Sequence, residues 1–239
     1  QEEGPLQIFA LGVLARRGDA EAITELRGAA TLPDPETRMA ALGVLGRLKR
    51  KETLSLLIKA VYDPAPAVRA FAAGALGDFG DVSAGPALMH LLDDESPRAR
   101  GIAAVSLGRL GNKDARPLLW TATRDPDELV RADAVEGLLR LGEPQAALIG
   151  ADLAKRADPS IRTAAARALS ASRGKQTLSV LEQLAKDQQP QPRLMAVRGL
   201  GKTRMLEALP ALKRGLRDGD AAIRTAAAGS IVRLLQDVK

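Results

Sequence analysis

Apolar residues recur along this chain three and four apart, the spacing of one face of an α-helix, and the whole pattern returns every 31 residues without an insertion. Leu6, Thr37, Val68, Ala99, Val130, Ile161, Pro192 and Ile223 each open the same phrase. The next residue is arginine in seven of the eight copies (Arg38, Arg69, Arg100, Arg131, Arg162, Arg193 and Arg224), and only Gln7 departs. Three residues later stands alanine in every copy, from Ala10 to Ala227, and four beyond that leucine or isoleucine, from Leu14 to Ile231. A fixed period of roughly 20 to 50 residues marks stacked supersecondary units, each burying its apolar face only against its neighbours.

Within one copy, Asp63-Pro64 supplies an N-cap and a first-turn proline, which predicts a helix start there. The same signal stands at Asp34-Pro35, Asp125-Pro126 and Asp158-Pro159, with Ser96-Pro97 a looser version. Val68, Phe71, Ala72, Ala75, Leu76 and Phe79 then follow at helical spacing until Gly80, a C-cap glycine like Gly18, Gly111 and Gly142. Asp81 recaps the next helix, carrying Leu88, Leu91 and Leu92. Pro86, Pro117 and Pro210 share one register near the start of the first helix of a pair, where a missing amide costs least. The expectation is all-α: a right-handed α-solenoid, or superhelix, of stacked antiparallel helix pairs. It forms a single domain over residues 1–239, with a leading helix at about 5–17 and then seven helix pairs.

The phrase D-P-x-x-x-V-R-x-x-A-A-x-x-L-G-x-x-G, from Asp63 to Gly80, resembles a HEAT repeat, and the 31-residue length resembles the bacterial HEAT-like class of phycobilisome lyases. The resemblance covers essentially the whole chain. It implies that the repeated arginines form a structural ladder with aspartates at the turns. By that resemblance the rungs are Arg69 with Asp63, Arg131 with Asp125, Arg193 with Asp187 and Arg224 with Asp218, with Gln7 breaking the ladder.

The chemistry-bearing residues narrow the function. Without cysteine there is no disulfide, thiolate metal site or cysteine nucleophile. His90 is the single histidine and falls in an outer-face register with Lys59, Thr121, Asp152, Gln183 and Arg214, so it reads as an exposed bystander. One histidine makes neither paired His-Glu metal sites nor a Ser-His-Asp triad. The expectation is no catalytic residue, no cofactor and no metal, hence no enzyme. No apolar run reaches the roughly 18 residues that span a bilayer, so a soluble protein without membrane insertion, and a monomer, is expected. Compartment stays open: cytoplasmic, or periplasmic if Gln1 is a processed N-terminus.

Aromatics are 2% of the chain, which leaves the core to Ala, Leu, Val and Ile. Phe79 shares a register with Leu48, Leu110 and Leu141 and is expected in the core; so are Phe9 and Phe71, with an apolar contact on the inner helical surface as the alternative.

Charge is unevenly placed. Residues 1–120 hold 15 basic and 15 acidic side chains, whereas residues 121–239 hold 20 and 14. From Lys155 to Arg217 there are 14 basic residues against Asp158, Glu182, Asp187 and Glu207. A further basic register follows each repeated arginine by nine residues: Arg16, Arg47, Arg109, Arg140, Lys202 and Arg233, interrupted by Asp78 and Ala171. Helix macrodipoles favour such C-terminal cations whatever the protein binds; an acidic partner is the functional reading. Arg167, Arg198, Lys202, Arg204, Lys213 and Arg214 are the side chains expected to meet it. The reading that follows is a noncatalytic protein-protein interaction scaffold, holding an acidic protein on a concave face lined by the second helix of each pair and on the basic edge. The alternative is nucleic-acid backbone binding through 155–217, although the aromatics that stack single strands are missing. A third is a chromophore-lyase-like subunit.

Overall fold

The computed structural model describes residues 3–237. Gln1, on which the expectation of a processed start rests, lies outside the described residues. Among them are fifteen α-helices and no strand, so the chain is all-α. Contacts divide it into two compact units, residues 1–115 and residues 116–239.

The first unit contains α1 (Glu3–Arg16), α2 (Ala20–Ala29), α3 (Pro35–Leu48), α4 (Lys51–Ala60), α5 (Pro66–Phe79), α6 (Gly85–His90) and α7 (Pro97–Leu110). The odd-numbered helices carry the repeated phrase and pack on one another, α1 on α3, α3 on α5 and α5 on α7; the even ones pack on their odd neighbours. Asp34 and Ser96 cap α3 and α7 as the dipeptides predict, each accepting from an amide three residues on. Asp63 does not cap α5. Its carboxylate closes a tight turn on the Ala65 amide at 2.8 Å, and α5 starts at Pro66. The same carboxylate also holds an arginine, described below.

Helix ends follow the glycines. Gly18, Gly80 and Gly111 take positive φ, as expected, and the same register is held by Lys49 at φ 48°, a left-handed conformation that costs a residue with a Cβ about 1 kcal/mol.

The second unit contains α8 (Arg116–Ala122), α9 (Glu128–Arg140), α10 (Ala146–Leu153), α11 (Pro159–Leu169), α12 (Lys175–Leu184), α13 (Pro190–Leu200), α14 (Leu209–Gly215) and α15 (Ala221–Asp237). Here α9, α11, α13 and α15 stack in sequence, again with the even helices against them. Asp158 caps α11, whereas Asp125 yields the capping of α9 to Asp127. Prolines leave a mark on the even helices of both units. Pro86, Pro117 and Pro210 stand in helices of six or seven residues, each preceded by a 3-10 turn, while the proline-free α4 and α12 run ten residues unbroken.

The core is the repeated phrase itself. Leu45, Leu76 and Leu107 in the first unit and Leu138, Leu169 and Leu200 in the second are wholly buried, as are the alanines four residues before each. The small alanine lets neighbouring odd helices approach and the leucine fills the space between them, each contributing about 1.5–3 kcal/mol by burial. Approach is close where Ser106 donates to the Ala73 carbonyl at 2.8 Å across from Gly77; a Cβ on Gly77 would lie 2.5 Å from that hydroxyl. The second unit repeats the device with Ser230, the Val197 carbonyl and Gly201.

Candidate functional site

The repeated arginines sit in the first turns of the odd helices. In each unit they stitch one repeat to the next, but not to the aspartates that the resemblance implies. Arg69, Arg131, Arg193 and Arg224 do reach Asp63, Asp125, Asp187 and Asp218, through the main-chain carbonyl of each. The carboxylate partner lies 25 residues further on: Arg38 forks onto Asp63, Arg69 onto Asp94, Arg162 onto Asp187 and Arg193 onto Asp218, through Nε and Nη2 at 2.6–3.1 Å. One guanidinium thus ties the turn before its own helix to the turn before the next odd helix, a bidentate geometry lysine could not match. Arg100 binds the Asp94 and Glu95 carbonyls in the same way.

These side chains are largely buried, and their ionisation shows it. Hydrogen bonds from Arg162 and Arg193 hold Asp187 and Asp218 below the usual carboxylate range. Burial pushes Asp63 and Asp94 up, but the bonds from Arg38 and Arg69 and a backbone amide outweigh it, so both end lowered.

The 25-residue rule also explains two gaps. Gln7 stands where the arginine is missing, and 25 residues on is Leu32, so both halves of that rung are absent together. From Arg131 the count falls on Arg156, a second cation. Glu128 resolves the clash: it accepts from Arg156 at 2.8 Å and from Arg131 at 3.5 Å.

The six basic residues expected to meet a partner do not form one surface. Arg167 is consumed: its guanidinium binds Asp133 and Glu136 on α9. Arg198, Lys202, Arg204, Lys213 and Arg214 are exposed. Arg198 lies in the last turn of α13, with Lys202 and Arg204 in the turn that follows. Lys213 and Arg214 close the next, antiparallel helix, so they stand at the opposite end of the pair. The charge excess from Lys155 to Arg217 also shrinks in three dimensions, because Arg156, Arg162, Arg167 and Arg193 are all paired, all but Arg162 with acids outside that window.

The aromatic expectations need correction. Phe9 is 67% exposed, Phe71 and Phe79 are half-buried, and none belongs to the fully buried core. Tyr62 and His90 stack with ring centroids 5.0 Å apart, so His90, though exposed, has a neighbour.

Phe71 opens the feature that sequence reasoning missed. On the exposed side of α3, α5 and α7 lies a groove of about 570 Å³. Its floor is Gly43, Phe71, Gly74 and Ile102, with Met39 and Phe79 towards the ends. The glycines keep it open, since a side chain at either position would project into it; a Cβ on Gly43 would already come within 3.1 Å of the Phe71 ring. Arg47, Lys49 and Arg98 stand at the rim, all exposed, and none forms an ion pair within the described residues. Asp78, the acid at the rim, is bound by Arg109 at 2.7 Å. The signal was in the sequence as glycine at 12, 43 and 74, one per repeat, but glycine inside a helix does not announce a groove.

The corresponding face of the second unit is closed. Glu136, 4% exposed, accepts two bonds from Arg140 at 2.9 and 3.1 Å and a third from Arg167, which also holds Asp133. Burial pushes the Asp133 carboxyl above its ordinary range despite that partner. Among the described residues no group of three or more His, Asp or Glu side chains is placed to hold a metal ion, and no helix is long and apolar enough to cross a membrane.

Comparison with known proteins bears on the fold. A family model described as HEAT repeats matches residues 2–65, 54–138, 116–192 and 181–238. The structure of the CpcE and CpcF complex of phycocyanin lyase from Nostoc sp. PCC7120 is 24% identical, covers 98% of this chain and 89% of its own, and superposes with a TM-score of 0.62. YibA of Escherichia coli is 16% identical over 95% of this chain and 96% of its own, with a TM-score of 0.55. At these identities the likeness is one of fold. Comparison with curated protein sequences gives no match.

Proposed function

This chain belongs to the HEAT-repeat family, and from that premise we propose that it is a noncatalytic scaffold which holds a protein partner on the exposed surface of its odd-numbered helices. The observation that carries the reading is the open apolar groove over Phe71 and Ile102. Water-exposed apolar floor with a polar rim is the composition of a binding surface, and stacked repeats present such surfaces in extended form. The partner this favours is acidic, because the rim of the groove is basic.

A direct test immobilises the intact protein and compares capture on wild type with capture on Gly74→Leu, which fills the groove. A Cβ at Gly74 meets only Ile102, at 3.6 Å, so the substitution fits the backbone. A specific protein that resists physiological salt on wild type and is lost from the variant supports the scaffold; capture indifferent to the groove would sink it.

Nucleic-acid binding remains a second reading on one observation, the exposed cluster of Arg198, Lys202 and Arg204. Phosphate contacts weaken steeply with salt. Micromolar binding of DNA of unrelated sequence at physiological salt, abolished when all three become Glu, would replace the protein scaffold by this reading.

A further inference from the structure

The groove has a shape and a charge pattern that specify more than a protein partner in general. Its lining on α5 runs from Ala67 to Phe79, and at about 1.5 Å per residue that is a trough of roughly 18 Å. Along this length the charges are not spread evenly. Arg98 belongs to the first turn of α7, whereas Arg47 and Lys49 stand at the C-terminal end of α3. Since α3 and α7 are equivalent helices of the stack, lying either side of α5, the cations mark opposite ends of the trough. Between them lie only apolar side chains and glycine.

Resting on the scaffold reading above, we propose that the groove of α3, α5 and α7 binds an amphipathic α-helix of about twelve residues, apolar along one face and carrying carboxylates at both ends. The length is that of the trough. An apolar stripe at i, i+3, i+4 and i+7 spacing would lie on Phe71 and Ile102, the usual way a helix enters a groove. Gly43 and Gly74 give the incoming helix room to approach. Three cations that form no ion pair among the described residues supply complementarity to acidic termini at the two ends, while Asp78, already held by Arg109, opposes them little. Neither the Asp133–Arg167–Glu136 cluster nor the exposed Arg198 region offers this combination, because the first is closed on itself and the second has no comparable apolar floor among its named residues.

The probe is a fluorescein-labelled helical peptide of about fourteen residues with leucines at that spacing and glutamates at both ends, read by fluorescence anisotropy against the full chain. Binding at tens of micromolar or tighter is expected at low salt, with affinity falling as salt rises. Gly74→Leu should weaken it at least about tenfold while the thermal melt stays within a few degrees of wild type. Arg47→Glu combined with Arg98→Glu should weaken it by a similar factor, and should favour a second peptide with lysines in place of the glutamates. The proposal is overturned if the lysine-ended peptide binds wild type as well as the glutamate-ended one, or if Gly74→Leu leaves binding intact. Failure of the peptide while Gly74→Leu still abolishes capture of a protein would overturn the acidic helix and leave the scaffold standing; indifference of both assays to Gly74→Leu would overturn the two together.

Discussion

Two stretches of the odd-helix surface share a backbone and differ in nearly everything a partner would meet. At one register the chain places Phe71, Ile102 and Asp133, and at the register three residues on Gly74, Val105 and Glu136, with Arg167 next in line. On α5 and α7 these positions leave a trough with exposed apolar floor; on α9 and α11 they knit into an ion-pair cluster around a buried glutamate. The stacking residues are the same in both. A repeat protein can therefore change its surface from open to self-satisfied without touching the core that makes it fold, since the registers that face neighbours and those that face solvent lie on different sides of the same helix.

The largest test of this contrast is Glu136→Ala. It removes three charge-assisted bonds to a buried carboxylate and leaves Asp133 to Arg167 alone, so the second unit should lose about 3–5 kcal/mol. Val105→Ala, at the same register in the first unit, should cost about 1–2 kcal/mol by loss of packing alone. Denaturant melts of the two variants decide, and equal losses would erase the distinction between the surfaces.

Next in size are the ladder rungs, which should not respect the division. Arg162→Ala and Arg38→Ala should each cost about 2–4 kcal/mol, because each leaves a largely buried aspartate without its fork. Arg131→Ala should cost clearly less, since its counterpart is another arginine and its removal frees Glu128 for Arg156. Thermal melts in which Arg131→Ala proves the most damaging would show that its bond to the Asp125 main chain outweighs a carboxylate fork.

A smaller effect concerns pH, with opposite signs for two kinds of carboxylate. Asp187 and Asp218 are depressed by their arginines. Their stabilisation is complete above the ordinary value of about 3.9 and is lost as pH falls through the depressed value. Asp133 is raised by burial, so its ionised form disfavours folding above its raised value and protonation on the way down to about pH 4 relieves that. Asp133→Asn should therefore remove a slight gain in melting temperature as pH falls from the raised value of Asp133 towards the ordinary one of about 3.9, while leaving the acid collapse below it. An unchanged profile would show that Asp133 titrates normally.

The smallest is local: Lys49→Gly should stabilise the first unit by up to about 1 kcal/mol, because glycine takes positive φ without strain. A destabilised variant would mean that Lys49 contributes more through its contacts than its backbone costs.

Much of the fold was legible because helical period and repeat length are properties of a single chain. Leu76 and Ala72 could be assigned to the core, and Gly80 to a helix end, from spacing alone. The rungs were legible by half. That Arg69 belongs to a ladder follows from its recurrence, but its partner could be Asp63 or Asp94, and only the rotation of one repeat on the next brings Asp94 to its guanidinium. Arg167 was misread for a related reason: a cation recurring near the surface looks available until the acids across from it, 31 and 34 residues back, are known. Phe71 was misread because helical spacing tells which residues share a face and not which face is covered.

By itself, then, the sequence determined the helices, their pairing, the 31-residue stack and the alanine-leucine core, because each depends on periodicity and on the burial of apolar surface between identical neighbours. Tertiary structure decided which cations are spent and which remain, where the glycines at 43 and 74 open a trough, and that Asp133 and Glu136 close the equivalent face. Those outcomes depend on distances between helices about one repeat apart, and the strength of charge pairing and of packing falls off over a few ångströms, a precision that spacing along a chain does not carry.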